Sequence, residues 1–366
     1  YAPRGFLLDY QDEKLLEKFT QEIKEYCKKN NILFLKINPY IKYQEHDIDG
    51  NIIENTKNDK LIQKLTELGY IHQGFYITME EKKDLEPRWL SVLELENKTT
   101  DEILKEMRTT TRWSIRNSEK NCLRVIECSR DDLKEFKLLM KHTAERREFI
   151  DRPLSYYENM WDTLHESGIL KISVAEVDFD EEIKNAEEEI KKLEVAIKER
   201  EEKFNNKATP MNENKYKANQ KKDNDEIDRL KNNIEKSKSM KKEYGAKPVL
   251  GGILFLIYGN EVLSLFGGSK KELMSFQSAY TLHFEGIKYA VEHGYDTYNF
   301  YGITGNFSKD NPLLGLYLFK KSFGGQVVEL VGEFDLIISK WYYRLYKIAF
   351  SMYHKLKHLK SILTRK

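Results

Sequence analysis

An insertion with a seven-residue apolar repeat constrains the fold of this chain most. Apolar residues recur every seven positions in its first half and return after a predicted turn at Thr209-Pro210. Residues 180–204 include 10 acidic and 6 basic side chains, whereas 207–245 include 7 acidic and 11 basic ones, so the halves attract each other. The pattern predicts an antiparallel coiled-coil arm over 179–246. Its seam consists of Ile183, Ala186, Ile190, Leu193, Ile197, Phe204, Ile227, Leu230 and Ile234.

Outside the arm, strand-like and helix-like segments alternate, which predicts α/β layers. The 366 residues suffice for two or three domains, and Trp89–Leu95 is a strand that we expect to open a second unit. The chain starts inside a strand-like segment without Met, so we expect an N-terminal portion to precede Tyr1.

Composition limits the function classes. The 61 basic and 60 acidic residues give a net charge of +1, so any contact with nucleic acid must be a local patch. The 3 cysteines have neither metal nor redox spacing, which favours a reducing cytosol. The longest apolar run, Val249–Tyr258, is shorter than the ~18–20 residues that span a bilayer.

The stretch 295–325 reads as a strand, a turn-rich loop and a helix that ends at Gly324-Gly325. Tyr301 lies at the strand end, where we expect a substrate. Adjacent helical lysines point about 100° apart, so if Lys321 is solvated, Lys320 lies nearer the apolar side with Phe319. Such a lysine is a candidate for stabilising negative charge in a transition state. The alternative is a lysine that snorkels from an amphipathic helix.

Two further groups of basic residues could bind phosphate. A predicted helix from Thr100 to about Asn121 has four basic residues spaced four apart on one stripe: Arg108, Arg112, Arg116 and Lys120. This stripe could bind an anion, or it could be a solvated face of the helix, and both interpretations stay open. Arg152 and Tyr156 are also four residues apart and could hold a pyrophosphate together. An ordinary surface ion pair is the alternative at that position.

The segment from Lys340 to Lys366 predicts a basic, aromatic, amphipathic helix. It has 8 basic and no acidic residues, which suits an anionic membrane surface and also RNA phosphates. The alternative is that its aromatic residues pack into the first domain and its lysines are solvated.

Several motifs are absent from the sequence: a Walker loop, a dinucleotide fingerprint, HExxH, a nucleophile elbow and the pyrophosphate loop of acetyl-CoA-dependent acetyltransferases. We therefore predict no cofactor and no metal. An acyl-CoA-dependent N-acetyltransferase remains a rival interpretation, disfavoured by the missing loop. A non-catalytic module that holds a partner through the coiled coil is the other rival.

The whole chain resembles the Fem family of peptidoglycan bridge aminoacyltransferases (FemA, FemB, FemX and MurM types). The resemblance rests on a combination of motifs, none of which is specific alone. They are PRGFLLDY at 3–10, the basic helix at 108–116, ERREFIDRPLSYYENM at 145–160, the heptad arm, LFGGS at 265–269, IKYAVEHGYDTYNFYG at 287–302 and GLYLFKKSFGG at 315–325.

The resemblance implies two acetyltransferase-like (GNAT) domains, one of residues 1–86 completed by 332–366 and one of residues 87–331. The arm marks the FemA-like branch, where it is similar to the arm of seryl-tRNA synthetase. The implied reaction transfers glycine, alanine or serine from aminoacyl-tRNA to the stem-peptide amine of lipid II or UDP-MurNAc-pentapeptide. Because the C-terminal helix is basic and aromatic, we predict lipid II as the acceptor, with the protein in the cytoplasm and peripheral at the inner face of the membrane. Self-association is a further expectation.

The resemblance also implies roles for single residues. Phe319 and Lys320 match the Phe-Lys pair placed at the tRNA 3′ end and the reacting ester. Arg152 and Tyr156 match the phosphate-binding Arg and Tyr. A further phosphate-contacting tyrosine of the family would fall near Phe266, which has no hydroxyl group.

Overall fold

The structure is a computed structural model that describes residues 1–77, 86–147, 149, 151–205 and 212–363, with side chains through Met352 except that of Glu119. The fold is mixed α/β with two sheets, as the alternating pattern predicts. The chain separates into two compact units, Tyr1–Leu93 with Asn299–Lys366, and Glu94–Tyr298. The elements in chain order are β1 (Ala2–Arg4), α1 (Glu13–Lys29), β2 (Phe34–Pro39), β3 (Lys42–Glu45), α2 (Asp59–Glu67), β4 (Tyr70–His72), β5 (Trp89–Glu94), α3 (Thr100–Glu106), α4 (Thr109–Lys120), β6 (Leu123–Glu127), α5 (Leu133–Arg147), α6 (Leu154–Leu164), β7 (Leu170–Val177), α7 (Phe179–Asn205), α8 (Glu213–Tyr244), β8 (Val249–Tyr258), β9 (Glu261–Ser269), a 3₁₀ helix (Lys271–Phe276), α9 (Ser278–Glu292), β10 (Thr297–Gly302), α10 (Leu314–Lys321), β11 (Gln326–Leu330), β12 (Phe334–Ile337) and α11 (Lys340–Leu363).

The first unit contains a four-stranded sheet in the order β1-β2-β12-β4. Strand β1 is parallel to β2, and β12 is antiparallel to both β2 and β4. Helix α1 begins after Asp12, whose carboxylate accepts from the backbone N–H of Leu15. Apolar side chains of α1, α2 and the sheet form one core that includes Leu16, Ile37, Leu65, Tyr70 and Phe334.

The first unit also places β3, β11 and β5 side by side, with the end of β10 next to β5. Strand β11 is antiparallel to β3 and to β5. This pairing explains why residues 299–331 group with the first unit, whereas the predicted domain boundary put 87–331 together. The compact units and the predicted domains therefore differ in where residues 87–93 and 299–331 belong.

The second unit contains the antiparallel strands β6, β7, β8 and β9 in that order. Helices α5 and α6 pack on one face of these strands through a core with Phe136, Tyr157, Trp161 and Leu254. Helix α9 packs closely on the strands at Gly286, where an added Cβ would lie 2.8 Å from the ring of Phe255. A side chain at that position would push α9 away from the strands.

The predicted helix from Thr100 to Asn121 is wrong as one continuous helix. Helix α3 ends at Glu106, and Met107 has an extended backbone with ψ 153°. Met107 is buried, and its extended backbone separates α3 from α4.

Helices α7 and α8 form an antiparallel pair between β7 and β8. Their apolar residues form one cluster that contains eight of the nine residues of the predicted seam: Ile183, Ala186, Ile190, Leu193, Ile197, Ile227, Leu230 and Ile234. The ninth, Phe204, stacks on Tyr216 instead, with ring centroids 4.2 Å apart. At the root, the backbone N–H of Phe179 donates to the carbonyl of Ala246 over 3.0 Å. The predicted turn at Thr209-Pro210 lies outside the described residues.

Helix α11 follows β12 in the first unit. Tyr343 is buried, packs on the ring of Phe34 and donates its hydroxyl to Asp335 over 2.6 Å. Large apolar side chains elsewhere on the helix are exposed: Trp341, Tyr342, Leu345, Ile348, Phe350 and Met352. Among the residues that the structure describes, no helix is long and apolar enough to cross a membrane.

Candidate active site

Helix α10 places Lys320 inside the first unit, as its position beside Phe319 predicts. The side chain is 6% exposed, and its Nζ donates to the carbonyl oxygen of Gly302, at the end of β10, over 2.7 Å. Burial lowers the pKa of Lys320 to about 7, because an ammonium loses hydration when it leaves water. Lys320 is therefore poised to hold or release a proton near neutral pH.

Two glycines let α10 end close to the strands. Gly324 has φ 95°, a conformation that side chains disfavour. A Cβ at Gly325 would lie 2.3 Å from Ser91 Oγ and 3.1 Å from the carbonyl oxygen of Lys320. The predicted helix stop at Gly324-Gly325 thus allows the close approach that buries Lys320.

Phe319 is half-buried and packs edge to face on Phe323, with ring centroids 5.3 Å apart. Phe323 in turn packs on Phe300 of β10. The ring of Phe319 is thereby supported from within the unit. Its role at the tRNA 3′ end stays a prediction.

Lys321 is not solvated, contrary to the condition used to orient the two lysines. It is 8% exposed and forms an ion pair with Asp49. Its Nζ also lies 5.5 Å from the centre of the Tyr317 ring. The two lysines point in different directions, but both leave solvent because each finds a polar partner inside the first unit.

Tyr301 is half-buried at the end of β10, with φ 67°. Its hydroxyl donates to Glu86 Oε2 over 2.7 Å, and burial together with this carboxylate raises the pKa of Tyr301. The phenol therefore stays protonated at neutral pH. Sequence reasoning missed Glu86, since nothing in its neighbourhood marks it as a partner of a tyrosine 215 positions away.

In the second unit, the structure brings together Arg152, Tyr156 and Phe266. The guanidinium carbon of Arg152 lies 5.2 Å from the centre of the Tyr156 ring, within the range of a cation–π contact. The rings of Tyr156 and Phe266 are 6.2 Å apart. Arg152 is exposed, so its five N–H donors are available to an anionic ligand.

A carboxylate that the sequence did not single out precedes Arg152. Asp151 forms an ion pair with Lys137 of α5, which ties the segment before α6 to α5. The same α5–α6 side of the strands buries Tyr157, whose pKa is raised chiefly by burial. These contacts fix where α6 begins and hence where Arg152 and Tyr156 lie.

The three arginines of the predicted stripe have different surroundings. Arg108 precedes α4 and is exposed, and Arg116 is exposed on α4. Arg112 donates to the carbonyl of Lys105 and to Thr109 Oγ1, so it bridges the break between α3 and α4. Part of the stripe therefore has a structural use, and phosphate binding by these arginines stays a prediction.

Comparisons with known proteins agree with the resemblance. The FemAB family matches residues 1–351 of this chain. The aminoacyltransferase FemA of Staphylococcus epidermidis is 33% identical over 349 residues, covering 95% of this chain and 82% of that protein. FemA of Staphylococcus aureus is 34% identical over 348 residues, covering 94% of this chain and 81% of that protein. The crystal structure of FemX matches with a TM-score of 0.76 and 29% identity, covering 94% of this chain and 81% of that one. The chain therefore belongs to the FemAB family.

Proposed function

We propose that this enzyme transfers an amino acid from aminoacyl-tRNA to the stem-peptide amine of a peptidoglycan precursor and so builds the interpeptide bridge. Family membership and the relatives' activity support this assignment: the chain is an aminoacyltransferase. The observation in the structure that supports the mechanism most is the buried Lys320 on α10.

The reaction is the aminolysis of an ester. The neutral amine of the stem peptide attacks the ester carbonyl, a C–N bond forms, and the carbonyl oxygen becomes an oxyanion. The C–O bond to the tRNA 3′ adenosine then breaks, the leaving oxygen takes a proton, and the new amide nitrogen loses one. Because the ester is activated, positioning and charge stabilisation can supply most of the rate.

We assign Lys320 as the cation that stabilises the oxyanion. An ammonium has three N–H donors, and among the described residues Lys320 is hydrogen-bonded to Gly302, which leaves donors for the reacting oxygen. The surroundings are desolvated, so the charge acts more strongly than in water. Phe319 is assigned to pack on the terminal nucleotide.

Arg152 and Tyr156 are assigned to the pyrophosphate of the precursor, with Phe266 forming an apolar wall beside them. The cation–π contact between Arg152 and Tyr156 supports this, because the Tyr156 ring holds the guanidinium in place for an anionic ligand. Arg108, Arg112 and Arg116 are assigned to phosphates of a substrate. Tyr301 is assigned to substrate binding at the end of β10.

We further propose two GNAT-like domains and a coiled-coil arm as the architecture of this enzyme. Lipid II in the cytoplasmic leaflet is the proposed acceptor, with the protein peripheral at the membrane. The exposed apolar side chains of α11 support this part of the proposal. Self-association through the arm is proposed as well.

Single-turnover assays with individually charged tRNAs test the function. The wild-type protein should transfer glycine, alanine or serine to lipid II, and Lys320→Met should lower kcat by ~10²–10³-fold with the fold intact. The matched control is Lys309→Met, which removes an exposed lysine of the loop before α10. Equal small effects of both substitutions would contradict the role of Lys320. Turnover of acyl-CoA without transfer from tRNA would contradict the function itself.

A further inference from the structure

The loop of residues 46–51, here called the clamp loop, is folded by its own hydrogen bonds. Asp47 accepts with Oδ1 from the backbone N–H groups of Asp49 and Asn51, each over 2.8 Å. The N–H of Gly50 donates to the carbonyl of Asp47 over 3.0 Å. An aspartate that bonds to backbone groups two and four residues ahead fixes a turn, so this loop has a defined shape.

The clamp loop contacts α10 at two residues of one helical face. The Tyr317 hydroxyl donates to the carbonyl oxygen of Ile48 over 2.8 Å, and Lys321 forms its ion pair with Asp49. Tyr317 and Lys321 are four residues apart and therefore neighbours on the helix surface. Gly50 lies under the Phe307 ring, which itself packs on Tyr317 with ring centroids 4.7 Å apart.

The clamp loop is tied to the strands of the first unit as well. His46 is buried, with Nε2 2.6 Å from Glu329 Oε2 on β11 and Nδ1 3.1 Å from the carbonyl oxygen of Gly50. Arg88 forms an ion pair with the same Glu329. The loop therefore connects the strand that carries Glu329 to the helix that carries Lys320.

Lys320 and Lys321 hold α10 in two directions. Lys320 binds the carbonyl oxygen of Gly302, whereas Lys321, about 100° around the helix, binds Asp49. A helix fixed at one point can rotate about its axis, but contacts in two directions oppose that rotation. Removing one partner of Lys321 would also leave its buried charge unpaired, which favours movement of the helix end.

We propose that Asp49 and Lys321 are positioning residues for aminoacyl transfer: their ion pair holds α10 so that the Lys320 ammonium points at the reacting carbonyl. This inference rests on the proposed function and on the role of Lys320 in it. The clamp loop should therefore affect the stabilisation of the transition state and not the affinity for either substrate.

The test compares Lys321→Met and Asp49→Asn in the wild-type and in the Lys320→Met background. A displacement of about 1 Å at the reacting centre costs about 100-fold in rate, so each variant should lose about 10- to 100-fold in single-turnover rate. The KM for charged tRNA and for lipid II should change less than about twofold, since contacts made only in the transition state affect kcat. In the Lys320→Met background neither substitution should lower the rate further, because residues that act through one group are not additive.

Matched variants separate positioning from general loosening of the fold. Lys321→Arg and Asp49→Glu keep the ion pair and should retain most of the rate. Glu54→Gln removes an exposed carboxylate near the same loop and should leave the rate unchanged. Because the Asp49 side chain is 65% exposed, Asp49→Asn carries the test if Lys321→Met does not fold.

Two results overturn the inference alone: an equal loss of rate in both backgrounds, or a loss that appears in KM instead of kcat. Either would leave the proposed function standing. If Lys320→Met itself keeps the wild-type rate, both the role of Lys320 and the positioning role of the ion pair are wrong.

Discussion

At the scale of single residues, Lys320 has a consequence for stability. Its pKa is about 7 in the folded protein and about 10.4 in an unfolded chain. Below pH ~7 both states are protonated, and the penalty of burying the ammonium is fully present. Between pH ~7 and ~10 the unfolded state binds more protons, so the contribution of this residue to the free energy of unfolding rises with pH.

Lys320→Met should therefore stabilise the protein more at pH 7 than at pH 9.5, with a difference of up to a few kcal/mol. Urea unfolding of both proteins at several pH values measures it. The free energy of unfolding of Lys309→Met should follow that of the wild type at every pH. Parallel curves for wild type and Lys320→Met would show that Lys320 keeps an ordinary pKa in the fold.

Arg152 gives a second prediction at this scale. Arg152→Ala should weaken binding of the pyrophosphate-bearing precursor by about 1.5–3 kcal/mol, as expected for charge-assisted hydrogen bonds. Affinity for charged tRNA should barely change. Arg130→Ala, which removes an exposed arginine paired with Asp162, is the control. If tRNA binding weakens instead, Arg152 belongs to the donor site and our assignment of the two substrates is reversed.

The two lysines show what sequence reasoning can reach at this scale. Helical periodicity placed Lys320 beside Phe319 on the apolar side only on the condition that Lys321 is solvated, and Lys321 is buried as well. The burial of Lys321 depends on Asp49, which is 272 positions away, and no local pattern reports a partner at that distance. The same holds for Tyr301, whose partner Glu86 comes from a different part of the chain.

At the scale of elements, the arm should be separable from the rest of its unit. Replacing residues 180–244 with a short Gly-Ser link should leave a cooperatively folded protein, because α7 and α8 bury their apolar residues against each other. At the root, this deletion removes the Arg124–Glu181 ion pair and the Asn185–Cys122 hydrogen bond. Surface pairs contribute about 0–1 kcal/mol each, so thermal unfolding should shift by only a few degrees.

Calorimetry of the deletion protein measures this shift. Loss of the cooperative transition would show that the arm stabilises the unit from which it projects. A folded deletion protein with weaker tRNA binding, or with lost self-association, would assign the arm its role. Both properties can be measured on the same preparation by filter binding and by sedimentation.

Elements differ in how much the sequence reveals about them. Eight residues of the predicted seam could be placed in one apolar cluster from the sequence, because a period of seven extends over many residues and belongs to a local structure. The break between α3 and α4 was not predicted, since neither glycine nor proline occurs there. It is caused by tertiary packing: Met107 turns into the core and Arg112 bonds back to the end of α3.

At the scale of the whole molecule, the exposed apolar face of α11 predicts binding to a membrane surface. Basic residues near an anionic leaflet contribute about 1 kcal/mol each, and salt weakens this. The protein should co-sediment with anionic but not with neutral vesicles, and less so at high salt. Trp341→Ser should weaken binding, because Trp341 is 67% exposed, while Tyr258→Ser, at an exposed hairpin, should not.

No binding at low salt, together with efficient turnover of the soluble UDP-linked precursor, would contradict peripheral membrane association. The side chains from Tyr353 onward, which include several basic residues of the predicted amphipathic helix, lie outside the described part of the chain. The test therefore relies on Trp341, whose exposure the structure does describe.

The mixed α/β class could be predicted at this scale because strands and helices alternate along most of the chain. The grouping of residues 299–331 could not, because it depends on β11 pairing with β3 and β5. Which strands become neighbours is decided by long-range pairing, and the chain order of the elements leaves that choice open.

The hydrogen bond between Phe179 and Ala246 at the root of the arm has a consequence for how chains of this kind change in evolution. The chain enters and leaves the arm at one point, so a change in the length of the arm does not displace β7 or β8. Seven residues inserted into α7 and seven into α8 at the same level would preserve the seam. A single insertion would shift one helix against the other and misalign every apolar pair beyond it. Length changes in this arm should therefore accumulate as paired insertions and deletions of whole repeats, while the root stays fixed.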